Sequence, residues 1–387
     1  MGLTELWRTS RDQLKEKHVQ QIIAFAGDGR LKDGSPASAE FRDFLSNVPS
    51  KILERYADEC LQDSFKESGL ALQDIVNQVG ERLGFKVTDG RYRGTSKYIG
   101  FDGLWRFPDG HAVVVEVKTS DAYRIDLNKI AGYRRDLVTQ GKIKEEHSSI
   151  LIVVGRKDTG DLEAQIRGSR HAWDMRLISV DALLKLMSLK ENMEDPKIVR
   201  RIYDILIPRE FTKLDEIIDI LFSAAEEVKP EELPGDQEVD KETGVKPAPM
   251  AFHEACVVRM EKHLERTLIR RSRTGYSSPD EELAIVCTVS KEHKIREHIS
   301  YWFAFHPHQK EFLTQATDRF VAFGCGSEAT LLFIPLADFE QWLDDMWTTE
   351  KDGRIYWHVR IHIENSHLLL DRRKGKGRLD VTHYLLK

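Results

Sequence analysis

Between residues 224 and 250 the chain carries four of its twelve prolines, and residues 226–242 (EEVKPEELPGDQEVDKE) set eight acids against two bases. A stretch with so few apolar side chains has little to bury and repels itself, so it reads as a flexible linker outside any core. It therefore forbids one continuous domain across the 387 residues. The residues before and after it must build separate cores, each within the usual size of a domain. No internal repeat accompanies the division. The linker's local charge of −6 equals the formal net charge of the whole chain. The remainder is neutral, so its surfaces are free to be locally basic, and net charge excludes no partner.

No window approaches about 18 consecutive apolar residues, which excludes a spanning helix and predicts no membrane partner. The opening segment MGLTELWRTSRDQLKEKH lacks the apolar run of a secretory signal. Cys60, Cys256, Cys287 and Cys325 lie far apart without a C-x-x-C pair, against a disulfide scaffold or a zinc ribbon. The expectation is a cytoplasmic chain with reduced thiols.

Four regions follow: an N-terminal helical region over 1–64, an α/β domain over 65–223, the linker over 224–250, and a C-terminal α+β or mostly β domain over 251–387. Ser35-Pro36 supplies an N-cap and a first-turn proline for a helix carrying Phe41, Phe44, Leu45 and Val48. Pro49 ends that helix and Ser50 caps the next. Leu72, Ile75, Val76, Val79 and Leu83 recur at helical spacing, and Gly84 stops that helix. The period then changes. FKVTDGRY, YIGFDGLWRF and HAVVVEVKT read as strands, the last two joined at Pro108-Asp109-Gly110. A helix over 125–141, a strand over 148–155, the strand MRLISV and a further helix complete a mixed sheet flanked by helices.

The strand HAVVVEVKT carries the chemistry. With side chains alternating between faces, Glu116 and Lys118 share one face while Val113, Val115 and Val117 pack on the other. Charges on a central strand are costly without a partner or a task. A plain same-face ion pair is the simplest account of E-x-K alone. Fourteen residues before Glu116, however, Asp102 lies where the hairpin returns the chain beside it. Two acids on neighbouring strands can hold a hard divalent cation. Such an ion polarises a phosphoryl oxygen and acidifies water, with Lys118 near enough to orient that water or offset developing charge.

This order of helix, Asp at a strand end, hairpin, E-x-K strand and helix resembles the PD-(D/E)xK nuclease superfamily over roughly residues 65–190, about a third of the chain. The resemblance implies a restriction-endonuclease-like fold with catalytic Asp102, Glu116 and Lys118, and with Mg²⁺ (or Mn²⁺ in its place) held by Asp102, Glu116 and the Val117 carbonyl. Many members also carry a glutamate in the preceding helix, about eleven residues before a Leu-Gly-Phe ending. Here that position is Gln73, a departure that implies a weaker site or a single ion, and Gly100-Phe101 stands where the motif's proline would be. Asp74 adjoins Gln73 on a different helical face.

Arg91, Arg93, Lys97, Arg124, Lys129, Arg134 and Arg135 are candidate phosphate contacts near one end of the sheet, with Tyr123 and Tyr133 beside them. The stretch 155–174 reads as a long polar loop over the strand ends. From it Arg167, Arg170 and His171 are further candidates for nucleic acid, and Asp161 and Glu163 for the metal. Each has a plain alternative as a solvated polar surface.

The C-terminal domain is expected to open with a basic helix from Arg259 to Arg273, followed by five apolar strands and one short helix, LADFEQWLDDMW. It holds ten of the fourteen histidines. His306, His308, His358 and His362 with Cys325 suggest a zinc site on residue type but not on spacing. Trp302, Phe303, Phe305, Phe323, Trp342 and Trp357 read as core, with a stacking pocket for a modified base as the sharper alternative. The basic run from Arg372 to Arg378 is a candidate nucleic-acid contact or a solvated turn. Together the sequence predicts a Mg²⁺-dependent DNA endonuclease with a C-terminal targeting or sensing domain, of the kind that serves bacterial restriction or anti-phage defence. Cutting both strands implies a homodimer or sequential nicks. The competing expectations are a nucleic-acid-binding module with a silent site, and an effector gated by a defence-system partner protein.

Overall fold

The computed structural model describes residues 2–63, 65–93, 98–119, 124–155, 159–194, 202–207, 214, 218, 249–295, 298–351, 354–373 and 376–387. Nearly all of the 224–250 linker, Lys97, Tyr123, Lys374 and Gly375 lie outside these residues. The chain divides into two compact units, Met1–Glu231 and Glu232–Lys387. Among the described residues no helix is long and apolar enough to cross a membrane.

The first unit opens with helices α1 (Leu3–Thr9), α2 (Arg11–Lys15), α3 (Val19–Phe25), α4 (Pro36–Asn47) and α5 (Ser50–Gln62). The Ser35 hydroxyl accepts a hydrogen bond from the Ser38 amide at 3.2 Å, with Pro36 in the first turn of α4. Ser50 does not cap α5: Pro49 occupies that place, and the Ser50 hydroxyl donates instead to Glu191 at 2.6 Å. The central helix α6 (Ser68–Leu83) ends at Gly84, whose φ of +100° is the left-handed stop that a residue without Cβ accepts.

The sheet consists of β1 (Lys86–Asp89), β2 (Gly103–Arg106), β3 (Ala112–Lys118), β4 (Ser148–Val154) and β5 (Met175–Ser179), in that spatial order. Strands β1 to β3 are antiparallel, and β4 and β5 join them in parallel. Helices α7 (Leu127–Thr139), α8 (Gly160–Arg167) and α9 (Val180–Asn192) complete the unit. Strict alternation along β3 divides the core. Val113, Val115 and Val117 share a core with α1 to α6 and α9, whereas Ala112 and Val114 share one with α7 and α8. The sheet is therefore covered on both faces, and the N-terminal helices share its core. This is the mixed α/β architecture expected from the element order.

The stretch 155–174 departs from expectation, because part of it is helix α8. Leu162 and Ile166, one turn apart, are both buried and suffice to dock two turns against the sheet.

The second unit begins with α10 (Pro249–Leu264). That helix starts ten residues before Arg259 and stops well before Arg273. Glu261 Oε1 accepts from the Leu268 amide at 2.9 Å, and Glu265 takes a positive φ, so the chain turns there into strand β6 (Ile269–Arg270). The remaining elements are β7 (Gly275–Ser277), β8 (Leu283–Ser290), β9 (His293–Ile295), β10 (His298–Phe305), α11 (Pro307–Leu313), β11 (Asp318–Cys325), β12 (Leu331–Pro335), α12 (Leu336–Leu343), β13 (Trp347–Lys351), β14 (Arg354–Glu364), β15 (His367–Leu370) and β16 (Leu379–Asp380). Two sheets form, one ordered β12-β11-β8-β7-β6 and the other β16-β15-β14-β10-β9 with β13 also on β14. Helix α11 was not foreseen; Pro307 starts it, and Gln309 Oε1 accepts from the His306 amide at 2.9 Å.

Candidate active site

The hairpin between β2 and β3 sets the geometry. Gly103 pairs with Val115, so Asp102 stands beside Glu116. The Asp102 amide donates to the Val115 carbonyl at 3.1 Å, and its Oδ2 accepts from the Val117 amide at 2.7 Å. Alternation of backbone groups along β3 turns the Val117 carbonyl to that same edge. On the strand itself Lys118 Nζ lies 2.5 Å from Glu116 Oε1. The second oxygen, Glu116 Oε2, is buried and has no hydrogen-bond partner among the described residues.

These charges are held where water is scarce. Burial pushes the Asp102 carboxyl up to about 7, and the neighbouring Glu116 charge adds to the rise. The Val117 amide, Lys118 and Lys129 pull in the opposite direction. For Lys118, burial favours the neutral amine, but the adjoining Glu116 carboxylate outweighs it and leaves the ammonium more firmly protonated than usual. Two acids forced together, one with an unsatisfied buried oxygen, form a donor set that fits a hard divalent cation, with the Val117 carbonyl as third oxygen. Among the described residues no group of three or more His, Cys, Asp or Glu side chains is arranged to hold a metal. Asp161 and Glu163 therefore do not complete the set; Glu163 pairs with Arg167 at 3.4 Å.

Helix α6 holds Asp102 from the opposite side of the sheet. Gln73 Nε2 and Asn77 Nδ2 donate to the Asp102 backbone carbonyl at 3.1 and 2.9 Å, and the Gly90 amide donates to the same oxygen at 2.9 Å. Gln73, at the helix position where the resemblance leads one to expect a carboxylate, thus gives its amide to the main chain. Asn77 was not singled out from sequence. Its Nδ2 also reaches Asp89 Oδ1 at 3.1 Å, and its Oδ1 accepts from Trp105 Nε1 at 3.0 Å. A Cβ on Gly103 would overlap that Oδ1, so only glycine lets Asn77 approach. The available signal was the i, i+4 spacing of two amides on one helical face.

Asp74 serves another purpose. Its buried carboxylate accepts from Arg42 Nε of α4 at 2.9 Å and from the Tyr92 hydroxyl, while burial lifts it to about 7. Asp33 accepts from the Tyr92 amide at 2.9 Å. The N-terminal helical region thereby grips the segment leading from β1 toward Asp102. Arg42, Asp74, Asn77 and Asp89 share the lining of a polar cavity of about 150 Å³, room for a few waters.

The nucleic-acid candidates separate into groups. Lys129 lies close enough to act on the Asp102 charge, and Tyr133 on that of Lys118. Arg170 Nη2 donates to Asn128 Oδ1 at 3.0 Å, and His171 Nε2 lies 3.1 Å from the same oxygen, so both sit at the start of α7 next to Lys129. Beside them Trp173 is 78% exposed, a large apolar side chain that sequence reading passed over. Arg124 is exposed just before α7. Arg91 pairs with Asp33 at 3.7 Å and lies 4.2 Å over the Tyr98 ring, and Arg93 is exposed next to it. Arg167 is exposed at the end of α8. Arg134 is not at the site. Its Nε donates to Ser148 Oγ at 2.9 Å and its Nη2 to the Glu145 carbonyl at 2.6 Å, at the start of β4 and away from the Lys118 end of β3.

In the second unit the zinc reading fails. Cys325 lies in the core, His362 faces Asp371 at 3.0 Å, and His358 is bonded to Trp302 and Thr349. The described part of the basic run is spent internally: Lys376 and Arg372 pair with Asp345, and Arg378 with Glu364 and Asp371. Phe303, Phe305, Phe323, Trp342 and Trp357 join the core as expected, whereas Trp302 does not.

No protein-family model matches the chain, and no curated protein matches it. Among solved structures, the complex of restriction endonuclease PspGI with substrate DNA is similar at 12% identity and a TM-score of 0.24, over 58% of this chain and 92% of that one.

Proposed function

We propose that the first unit is a divalent-metal-dependent nuclease that hydrolyses phosphodiester bonds in DNA. The observation that carries this reading is the buried oxygen of Glu116, without a hydrogen-bond partner among the described residues, beside Asp102, whose carboxyl is pushed up to about 7. Lys118 matches one Glu116 oxygen, and a divalent cation or a proton would offset the charge that remains on the two buried carboxyls. Asp102, Glu116 and the Val117 carbonyl would hold Mg²⁺ or Mn²⁺, which supplies Lewis-acid polarisation of a phosphoryl oxygen and a lowered pKa for the attacking water. Lys118, kept protonated by Glu116, offsets the negative charge that grows on the phosphoryl group as the attacking oxygen arrives. Lys129 at the start of α7 and Arg170 beside it are the cations best placed to hold the backbone, with His171, whose burial and Arg170 neighbour favour the neutral imidazole, as a polar contact next to them.

Wild type and Lys118→Ala incubated with supercoiled and linear DNA, with Mg²⁺, with Mn²⁺ and with EDTA, test the reading. Cleavage by wild type alone, and only with metal, is the expected result; equal cleavage by both proteins would sink the assignment. One site cuts one strand, so linear product in a single encounter requires a homodimer. Sedimentation of a strict monomer that still linearises DNA in one encounter would remove the dimer. A role in bacterial restriction or anti-phage defence belongs to the same proposal. Its sign would be lower phage plating with wild type than with Lys118→Ala.

A second reading is favoured by Gln73, whose amide serves the backbone where a further carboxylate would strengthen a metal site. It makes the unit a DNA-binding module with a weak, silent or partner-gated centre. Tight DNA binding by Lys118→Ala, with no product from wild type even in Mn²⁺, is its signature.

A further inference from the structure

We propose that the open face of the sheet containing β13, β14 and β10 is a stacking platform for unpaired nucleobases, so that the second unit binds single-stranded nucleic acid. This deepens the nuclease reading by naming a substrate feature, and it is tested apart from cleavage.

The sheet register fixes which side chains share the face. Tyr301, Phe303 and Phe305 of β10, with Val359 and Ile361 of β14, enter the core. The alternate positions project the other way. His358 pairs with Ala304 and with Trp347, Arg360 pairs with Trp302, and Thr349 pairs with Tyr356. A sheet with one wet face ordinarily presents polar side chains there. Here it presents Trp302, Trp347, Tyr356 and His358, with His306 alongside.

The rings are held before any ligand arrives. Trp302 Nε1 donates to His358 Nδ1 at 3.0 Å, and His358 Nε2 lies 2.7 Å from Thr349 Oγ1. With Nδ1 accepting, the imidazole is neutral and its proton points at Thr349. Tyr356 lies 5.0 Å from the His358 ring and 5.6 Å from that of His306, and Trp302 stands edge-on to Tyr356 at 85°. Trp347 is 43% exposed on the adjoining strand. Rings already ordered lose little freedom on binding, which favours affinity.

Charge selects the occupant. Arg360 is exposed in the middle of the face and makes no ion pair among the described residues. The bordering carboxylates are already matched, Glu364 by Arg378 and Asp371 by His362 and Arg378. Aromatic rings beside an unpaired guanidinium match a strand that offers π-faces and phosphates together. A duplex keeps its bases stacked inside and offers this sheet only its backbone.

The test uses the full chain carrying Lys118→Ala in EDTA, so that no strand is cut. Anisotropy is followed with a labelled deoxythymidine oligomer, a uridine oligomer and a duplex, each of about 15 nucleotides per strand. We expect the single strands to bind at least tenfold more tightly than they do to Trp347→Ala or Tyr356→Ala in the same background. Duplex binding should stay unchanged, and Arg360→Ala should flatten the salt dependence. Trp347 is exposed, so its replacement leaves the core intact, and a thermal melt checks Tyr356→Ala. The two oligomers tell DNA from RNA. Single-strand affinity unaltered in all three variants overturns the proposal, as does a protein that binds the duplex alone. Cleavage by wild type with Mg²⁺ reports separately on the nuclease reading. Lost cleavage with intact stacking, or the reverse, sinks only one of the two.

Discussion

The two units handle their sheets in opposite ways. In the first, helices cover both faces, and the charged trio Asp102, Glu116 and Lys118 sits at one end of strands whose other residues are almost wholly apolar. In the second, the described residues cover the sheet through β10 and β14 on one face only, leaving Trp347 exposed and Trp302 and Tyr356 partly exposed on the other. Each arrangement places a side chain where its solvation is unfavourable: charge away from water, aromatic surface within it. The first opposes stability and suits reaction chemistry. The second leaves apolar area unburied, about 25 cal/mol per Å², and suits recognition.

The largest effect that sharpens this contrast is on activity. Lys118→Ala should lower metal-dependent cleavage about 1,000-fold in a plasmid assay, in the range seen when one group stabilising a transition state is removed. A loss below tenfold would return Lys118 to the role of a plain ion-pair partner.

Stability should then move the other way at the neighbouring carboxylate. Asp102 has a folded pKa of about 7 against an ordinary 3.8, so the folded chain keeps its proton longer than the unfolded chain does. Its contribution is full below about pH 4 and is lost as pH climbs through 7. In EDTA, Asp102→Asn should therefore match wild type near pH 4 and exceed it by about 4 kcal/mol at pH 8. Denaturant melts at the two pH values measure this, and identical pH slopes for both proteins would contradict it.

The anchor beneath the site comes next. Asn77→Ala deprives the Asp102 carbonyl of one donor and the Trp105 indole of its acceptor. A stability loss of about 2 kcal/mol is expected from urea unfolding. A loss under about 0.5 kcal/mol would mean that Gln73 and Gly90 hold Asp102 without it. The smallest effect belongs to the open face. Trp347→Ala should change stability by no more than about 0.5 kcal/mol, although the same change should weaken single-strand binding.

Much of the first sheet was legible because its signals are local. The alternation of 112–118, the Pro108-Asp109-Gly110 turn and the Gly84 stop each act within a few residues. They were enough to bring Asp102 beside Glu116. The short helix α8 escaped notice because only Leu162 and Ile166 mark it, and two apolar residues make no periodic run. Arg134 shows the opposite error. Its neighbours in sequence point toward phosphate, but the length of α7 carries it to the far end of β4, where Ser148 and the Glu145 carbonyl take its donors. The Asn77 anchor joins α6, β1 and the start of β2, a convergence that no single window of sequence contains. On the open face Trp302 looked like core, because alternation says which residues share a side and leaves open which side is covered.

Gly103 bears on how this protein can change. Because any side chain there would overlap Asn77, the position next to the key carboxylate is closed to single substitutions, and a path through it needs a paired change at Asn77. Variation that retunes the centre is better sought on the α7 side, where exposed Lys129 and partly buried Tyr133 act on Asp102 and Lys118 through space. A directed-evolution library for altered metal use or substrate preference belongs at those two positions, with Gly103 and Asn77 held fixed.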